Sequence, residues 1–130
     1  MKIGLINGGG DCPGLNAVTF GVVNAAKTLG WRVVGFTDGF EGLLDGGRYQ
    51  ELEANEITQI QRMGGTILGT TNRGRFAGKV DSGGVRQIPR ELMDEARATL
   101  SKLEVEALIC VGGDGTLTTA LQFHREGCPV

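Results

Sequence analysis

Apolar positions along the chain alternate between a strand period and a helix period, and the switches mark out its elements. Lys2-Ile3-Gly4-Leu5-Ile6-Asn7 is a short, nearly continuous apolar run, the pattern of a buried strand. After a glycine-rich stretch, Leu15, Val18, Val22, Ala25, Ala26 and Leu29 recur at helical spacing, with Gly30 as a C-terminal stop. Residues 31–36 read as the next strand. Ile57, Ile60 and Met63 predict a short helix over residues 56–63, ended by Gly64-Gly65, and residues 66–69 read as a brief strand. Pro89 is expected at the first position of a helix. Leu92, Ala96, Leu100 and Leu103 form its buried stripe, and Arg90 with Asp94 and Asp94 with Arg97 form pairs on the wet face. Ala107-Leu108-Ile109-Cys110-Val111 is again a buried strand, followed by a helix from about Thr116 to Glu126 that Gly127 stops. Cys128-Pro129-Val130 has the look of a further strand beginning.

Strands alternating with helices predict an α/β fold: a three-layer α/β/α sandwich around a mostly parallel, Rossmann-like sheet. The elements form no repeat, and no linker composition divides the 130 residues. With a strand just begun at Val130, the expectation is an interrupted domain, a fragment of a longer chain.

Composition narrows the function. Hydrophobic residues are 40% of the chain and charged residues 22%, enough for a packed core and too apolar for disorder. A net charge of −2 argues against general binding to nucleic acid or a membrane surface, and leaves room for a local phosphate pocket. The chain is expected to open directly into a strand with no signal peptide before it, and no apolar run reaches the length of a membrane span. Cys12, Cys110 and Cys128 are odd in number and lack CxxC spacing, so free thiols in a reducing cytoplasm are expected. His124 is the one histidine, which excludes a histidine-rich metal site; it reads as an ordinary residue of the last helix. Glycine supplies 23 residues without a collagen period, so the excess belongs to loops.

The loop Gly112-Gly113-Asp114-Gly115-Thr116 carries the strongest chemistry. Strand, glycine turn and helix N-terminus together make an anion site, because unpaired N–H groups and the helix dipole both favour negative charge. A carboxylate beside a phosphate is repelled unless a cation lies between them, so Asp114 reads as a magnesium ligand, direct or through water. The alternative is a tight turn with Asp114 as an N-cap. The first loop, residues 8–14, satisfies neither a dinucleotide fingerprint, which needs glycine at Pro13, nor a P-loop, which needs lysine at Leu15. It retains backbone N–H groups near a helix start, or is a plain turn. Asp11 orients the loop or approaches a metal. The loop at residues 37–47 falls on the edge where open α/β sheets bind ligands. Residues 70–88 lack an apolar period and hold Arg73, Arg75, Lys79 and Arg86 against Asp81 alone. Such a lid can set a guanidinium on a polyphosphate, or be a solvated basic loop.

Three separated motifs together resemble the 6-phosphofructokinase family over essentially the whole chain. Gly8-Gly9-Gly10-Asp11-Cys12-Pro13-Gly14-Leu15-Asn16-Ala17 looks like its amino-terminal signature. Gly64-Gly65-Thr66-Ile67-Leu68-Gly69 with Arg73 resembles its second nucleotide segment, and Gly112-Gly113-Asp114-Gly115-Thr116 its magnesium-ATP loop. The last motif alone is shared with NAD kinases and diacylglycerol kinases; the combination is specific. The resemblance implies that Gly9 touches the transferring phosphate. It makes Arg73 similar to the arginine that bridges the donor phosphates, with Asn72 the rival alignment one residue away, and Gly74 its backbone-contacting neighbour. Gly113, Asp114, Gly115 and Thr116 match the loop that holds ATP, with Asp114 toward Mg2+.

The same resemblance implies a reaction. Pyrophosphate-dependent relatives typically carry aspartate where Gly115 stands, so glycine here favours ATP as donor. The implied reaction is transfer of the γ-phosphate of magnesium-ATP to fructose 6-phosphate in glycolysis, in the cytoplasm, by a homotetramer or homodimer. The runners-up are a pyrophosphate-dependent phosphofructokinase and a non-catalytic nucleotide-binding regulatory chain. Phe20 and Asn24 stand where bacterial allosteric enzymes bind effector phosphates with arginine, which puts effector control of that kind in doubt. Thr119 replaces a frequent glycine and would crowd the nucleotide. The family's catalytic base and sugar-phosphate residues would follow Val130, so the 130 residues alone are expected to be inactive.

Overall fold

The computed structural model describes residues 1–77 and 87–130. Its centre is a four-stranded sheet of β1 (Lys2–Asn7), β2 (Arg32–Phe36), β3 (Tyr49–Glu51) and β4 (Ala107–Val111), in the order β3-β2-β1-β4. β1 runs parallel to both neighbours, with Ile3 opposite Val33 on one side and Ala107 on the other. β3 is antiparallel and closes the edge, with Phe36 opposite Tyr49. Three helices complete the fold: α1 (Leu15–Thr28), α2 (Arg90–Lys102) and α3 (Asp114–Arg125).

Strand geometry explains the continuous apolar runs. Successive side chains point to opposite faces, and a parallel sheet covered on both faces needs apolar residues on each. Ile3, Leu5, Val33 and the half-buried Ile109 pack on the α1 side with Val23, Ala26, Ile57 and Leu68. Ile6, Val34, Phe36 and Leu108 pack on the other side with Met93, Ala96 and Leu100 of α2 and Phe123 of α3. The expected three-layer α/β sandwich is therefore the observed one.

Several local expectations are corrected. α1 has the expected span, but it buries Leu15, Asn16, Thr19, Val23 and Ala26, while Val18 and Leu29 are 43% and 59% exposed. The face is rotated because Asn16 is an anchor. Its Nδ2 donates to the carbonyls of Met63 (3.2 Å) and Gly64 (3.3 Å), and its Oδ1 accepts the N–H of Ile67 at 2.8 Å. Those bonds fix the backbone at residues 63–67; ahead of them residues 56–63 form only a single 3-10 turn, Ile60–Arg62. Ile57 and Ile60 are buried as expected, but Met63 is exposed. Residues 66–69 are a turn rather than a strand. The Thr66 hydroxyl accepts from Asn7 Nδ2 (2.6 Å) and from the Leu68 N–H (3.1 Å), so a side chain replaces the strand ladder.

α2 begins at Arg90, with Pro89 one place earlier than expected, in the capping position. Met93 and Thr99 join its buried face, and Leu92 is only half-buried. Arg90 pairs with Asp94 at 3.2 Å, whereas Arg97 reaches toward Glu126 at 3.8 Å instead of Asp94. β3 has no apolar signal, since Tyr49, Gln50 and Glu51 are all exposed. Residues 128–130 are not assigned as a strand, although the Leu108 N–H donates to the Pro129 carbonyl at 2.9 Å.

The rotated face of α1 has a direct test. Val23→Ala should lower unfolding stability by about 2 kcal/mol, because it removes two methyls from a closed core. Val18→Ala, on the exposed face, should change it by less than about 0.5 kcal/mol. Equal losses in urea titrations would contradict the observed orientation.

Candidate active site

The two glycine loops meet because their strands are neighbours. β1 pairs with β2 on one side and β4 on the other, and the chain leaves β1 toward α1 but leaves β4 toward α3, on the opposite face. The crevice between those exits is the switch point at which open α/β sheets take ligands. The Gly8 N–H donates to the Val111 carbonyl at 2.8 Å and ties the roots of the loops together. Thr116, buried in the first turn of α3, fills the gap between them. A Cβ on Gly8 or on Gly112 would collide with its side chain, so both positions must be glycine for the loops to close on Thr116. A Cβ on Gly9 would stand 3.9 Å from the Gly113 nitrogen.

α3 starts at Asp114, two residues earlier than expected, with Gly113 in the capping position and no side-chain cap. The reading of Asp114 as N-cap is therefore displaced. The Leu117 N–H closes the first intrahelical bond on the Gly113 carbonyl at 3.0 Å, leaving the preceding turn without helical acceptors. Thr118 and Thr119 hydroxyls donate back to the carbonyls of Asp114 (2.8 Å) and Gly115 (3.0 Å). Thr119, expected to crowd a nucleotide, is buried and lines the cleft with its hydroxyl held by that bond.

One cleft of about 490 Å3, counting solvent at its mouth, collects Gly9, Arg73, Gly74, Gly115 and Thr116. Asn72 lines it as well, so both alignments of the bridging position fall on the same wall. Gly113 and Asp114 are exposed beside the cleft and outside its lining. Asp11 lies against Gly65, where a Cβ would be 3.2 Å from its Oδ2.

The cations separate into two roles. Arg75 is committed: its Nη2 meets Asp45 Oδ2 at 2.6 Å and its Nε meets Glu41 Oε2 at 3.3 Å. The Arg75 hydrogen bond holds the Asp45 carboxyl below its usual range, and Asp45 in turn raises the Arg75 guanidinium. Both ends of the Arg75 guanidinium are thus paired with carboxylates. Arg73 borders the cleft with no such pairing among the described residues. Lys79, Asp81 and Arg86 lie outside the described residues. Among the described residues no three of His, Cys, Asp and Glu cluster as a metal cage. A single carboxylate at a helix start instead suits a magnesium ion whose other ligands are phosphate and water.

Sequence reasoning missed Phe40, Glu41, Thr71, Phe76 and Ala77, which also line the cleft. Phe40 stacks on Phe123 at 5.4 Å and tilts on Phe76 at 5.7 Å, so the core reaches the cleft wall. For Phe40 and Glu41 the available signal was their place in a glycine-flanked loop after a strand.

A sequence profile described as Phosphofructokinase matches residues 2–130. An ATP-dependent 6-phosphofructokinase of Chloroflexus aggregans is 41% identical over all of this chain and 36% of its own length. A pyrophosphate–fructose 6-phosphate 1-phosphotransferase of Amycolatopsis methanolica is 38% identical over 100% of this chain and 35% of its own. The chain thus spans about a third of the length of these relatives. The structure of a Pichia pastoris phosphofructokinase in the T-state superposes on 96% of this chain and 12% of that one, with TM-score 0.82 and 32% identity. Among the described residues no helix is long and apolar enough to cross a membrane.

The cysteines offer a check on the site's surroundings. Burial pushes the Cys110 thiol up to about 12, and burial also raises Cys128, whereas Cys12 is exposed in the first glycine loop. Only thiolate reacts, and at pH 8 a thiol of that acidity is ionised in roughly one molecule in ten thousand. A disulfide reagent should therefore modify Cys12 first and Cys110 last; Cys110 labelling as fast as Cys12 in the folded protein would contradict the geometry.

Proposed function

Because the chain belongs to the phosphofructokinase family, its profile matching residues 2–130, we propose that these residues are the amino-terminal, nucleotide-binding part of an ATP-dependent 6-phosphofructokinase. The observation that carries this reading is the convergence of Gly9, Arg73, Gly74, Gly115 and Thr116 on one cleft at the switch point. The full-length protein transfers the γ-phosphoryl group of ATP to the 1-hydroxyl of fructose 6-phosphate, the committed phosphorylation of glycolysis in the cytoplasm. It works as a homo-oligomer, a tetramer or dimer, and has neither nucleic-acid nor membrane partners.

Phosphoryl transfer demands positioning and charge neutralisation more than covalent chemistry. Gly9 and the first turn of α3 offer backbone N–H groups to phosphate oxygens, and Arg73 adds a guanidinium whose fork matches them. In the transfer, the sugar hydroxyl oxygen bonds the γ-phosphorus and the bond to the β,γ-bridging oxygen breaks, releasing ADP. The hydroxyl proton passes to a carboxylate that the family resemblance puts after Val130. Asp114 would hold Mg2+ at the edge of the cleft, and the ion would offset charge on the donor phosphates. Gly113 lets the loop approach beside Gly9.

The donor is the finer question, since the Amycolatopsis relative is named for pyrophosphate at 38% identity. Gly115 favours ATP: it lines the cleft without a side chain, leaving space for the nucleotide's α-phosphate. The pyrophosphate-dependent reading stays second on the strength of that relative.

The test is to supply the full-length protein with fructose 6-phosphate, magnesium and either ATP or pyrophosphate, and to score fructose 1,6-bisphosphate. Product should form with ATP. Gly115→Asp should then cut kcat/KM for ATP by roughly 100-fold, since a like charge would be forced on the α-phosphate. Product with pyrophosphate alone would overturn the donor, and no product from a folded chain would favour a regulatory nucleotide-binding role.

A further inference from the structure

The strap that carries Arg73 into the cleft, residues 71–77, is not part of a helix or strand. Within it, the Thr71 hydroxyl donates to the Arg73 carbonyl and accepts the Arg73 N–H at 3.1 Å, and the Ala77 N–H meets the Gly74 carbonyl at 3.0 Å. Among the described residues two carboxylates tether the strap to the rest of the fold: Asp45 holds the Arg75 guanidinium, and Glu41 alone of the two holds the backbone. Glu41 Oε1 accepts the N–H of Arg75 at 2.6 Å and of Phe76 at 3.2 Å, while Oε2 takes Arg75 Nε at 3.3 Å. Glu41 belongs to the 3-10 turn Gly39–Leu43, whose buried Phe40 and Leu43 root it in the core. Its side chain is only 14% exposed. Gly74 lies directly against it: with φ at +154°, a Cβ there would be 2.6 Å from Oε1. The carboxylate reaches the strap backbone only because that side chain is missing.

A carboxylate lining a polyphosphate cleft ought to repel the ligand. Here two backbone N–H groups and the Arg75 guanidinium use its oxygens, and Asp45 fixes Arg75 from the far side. Arg75 neutralises the pin and Arg73 is left for the cleft. Resting on the phosphoryl-transfer reading above, we propose that Glu41 is a positioning residue for Arg73: it pins the backbone two and three residues beyond and so sets the guanidinium over the donor phosphates. Misplacing such a group by about 1 Å can cost on the order of 100-fold in rate.

The test uses the full-length protein and a double-mutant cycle with Glu41→Ala and Arg73→Ala. Glu41→Ala should lower kcat with ATP by roughly 10- to 100-fold and move KM for fructose 6-phosphate by less than about 3-fold. In the Arg73→Ala background the same change should cost less than about 2-fold, because the residue it positions is gone. An equal loss in both backgrounds would reduce Glu41 to a general structural role and overturn the proposal. Glu41→Gln keeps an acceptor for the amides and should fall between, which covers the case in which Glu41→Ala does not fold. Amide hydrogen exchange at Arg75 and Phe76 reads the pin without any substrate: it should quicken at least about tenfold in Glu41→Ala. Unchanged exchange would overturn the pin even if turnover fell. A wild-type protein that transfers no phosphoryl group but keeps both amides protected would refute the phosphofructokinase reading and leave the pin standing.

Discussion

The site depends on one contact: the Thr116 side chain closed between two glycine loops. Gly8 follows β1 and Gly112 follows β4, so their approach is possible only because these strands are adjacent and parallel. Everything upstream serves that adjacency. The crossover through α1 sends β2 to one side of β1, and the longer path through α2 returns β4 to the other. Two apolar layers lock the order, since Ile3 and Leu5 are needed against α1 and Ile6 against α2 and α3. A methyl at either glycine would part the loops, and the first turn of α3 would no longer share a cleft with Gly9.

Charge is arranged around that contact with little redundancy. The helix start and the loop N–H groups favour an anion, and Arg73 lines the same cleft. Arg75, held between Glu41 and Asp45, is committed to fixing the strap. The aromatic contacts of Phe40 with Phe76 and Phe123 carry rigidity from the core to the same wall. Among the described residues, the backbone glycines, the Arg73 guanidinium on the cleft wall and the Asp114 carboxylate at a helix start form a set suited to phosphate and a hard cation rather than to covalent catalysis.

Legibility in the sequence tracked how local each determinant is. β1, β2, β4 and their helices were readable because burial on both faces writes unbroken apolar runs. The glycine loops were readable because tight approach to a ligand needs residues without side chains. Residues 63–67 were misread because Asn16, some 50 positions away, captures their backbone groups, and no periodicity reports such a bond. The same bond rotated α1, exposing Val18 where spacing alone buried it. β3 escaped notice because an exposed edge strand of three residues has no apolar signal. The contacts of Glu41 were invisible for a related reason, although its loop was legible: its partners are main-chain N–H groups of a loop 34 and 35 residues on.

Amide hydrogen exchange of the full-length protein, with and without magnesium-ATP, tests the convergence most directly. If the three segments form one phosphate site, exchange at residues 8–10, 72–75 and 113–116 should slow together on adding nucleotide. Slowing at some other surface, with all three segments unchanged, would contradict it.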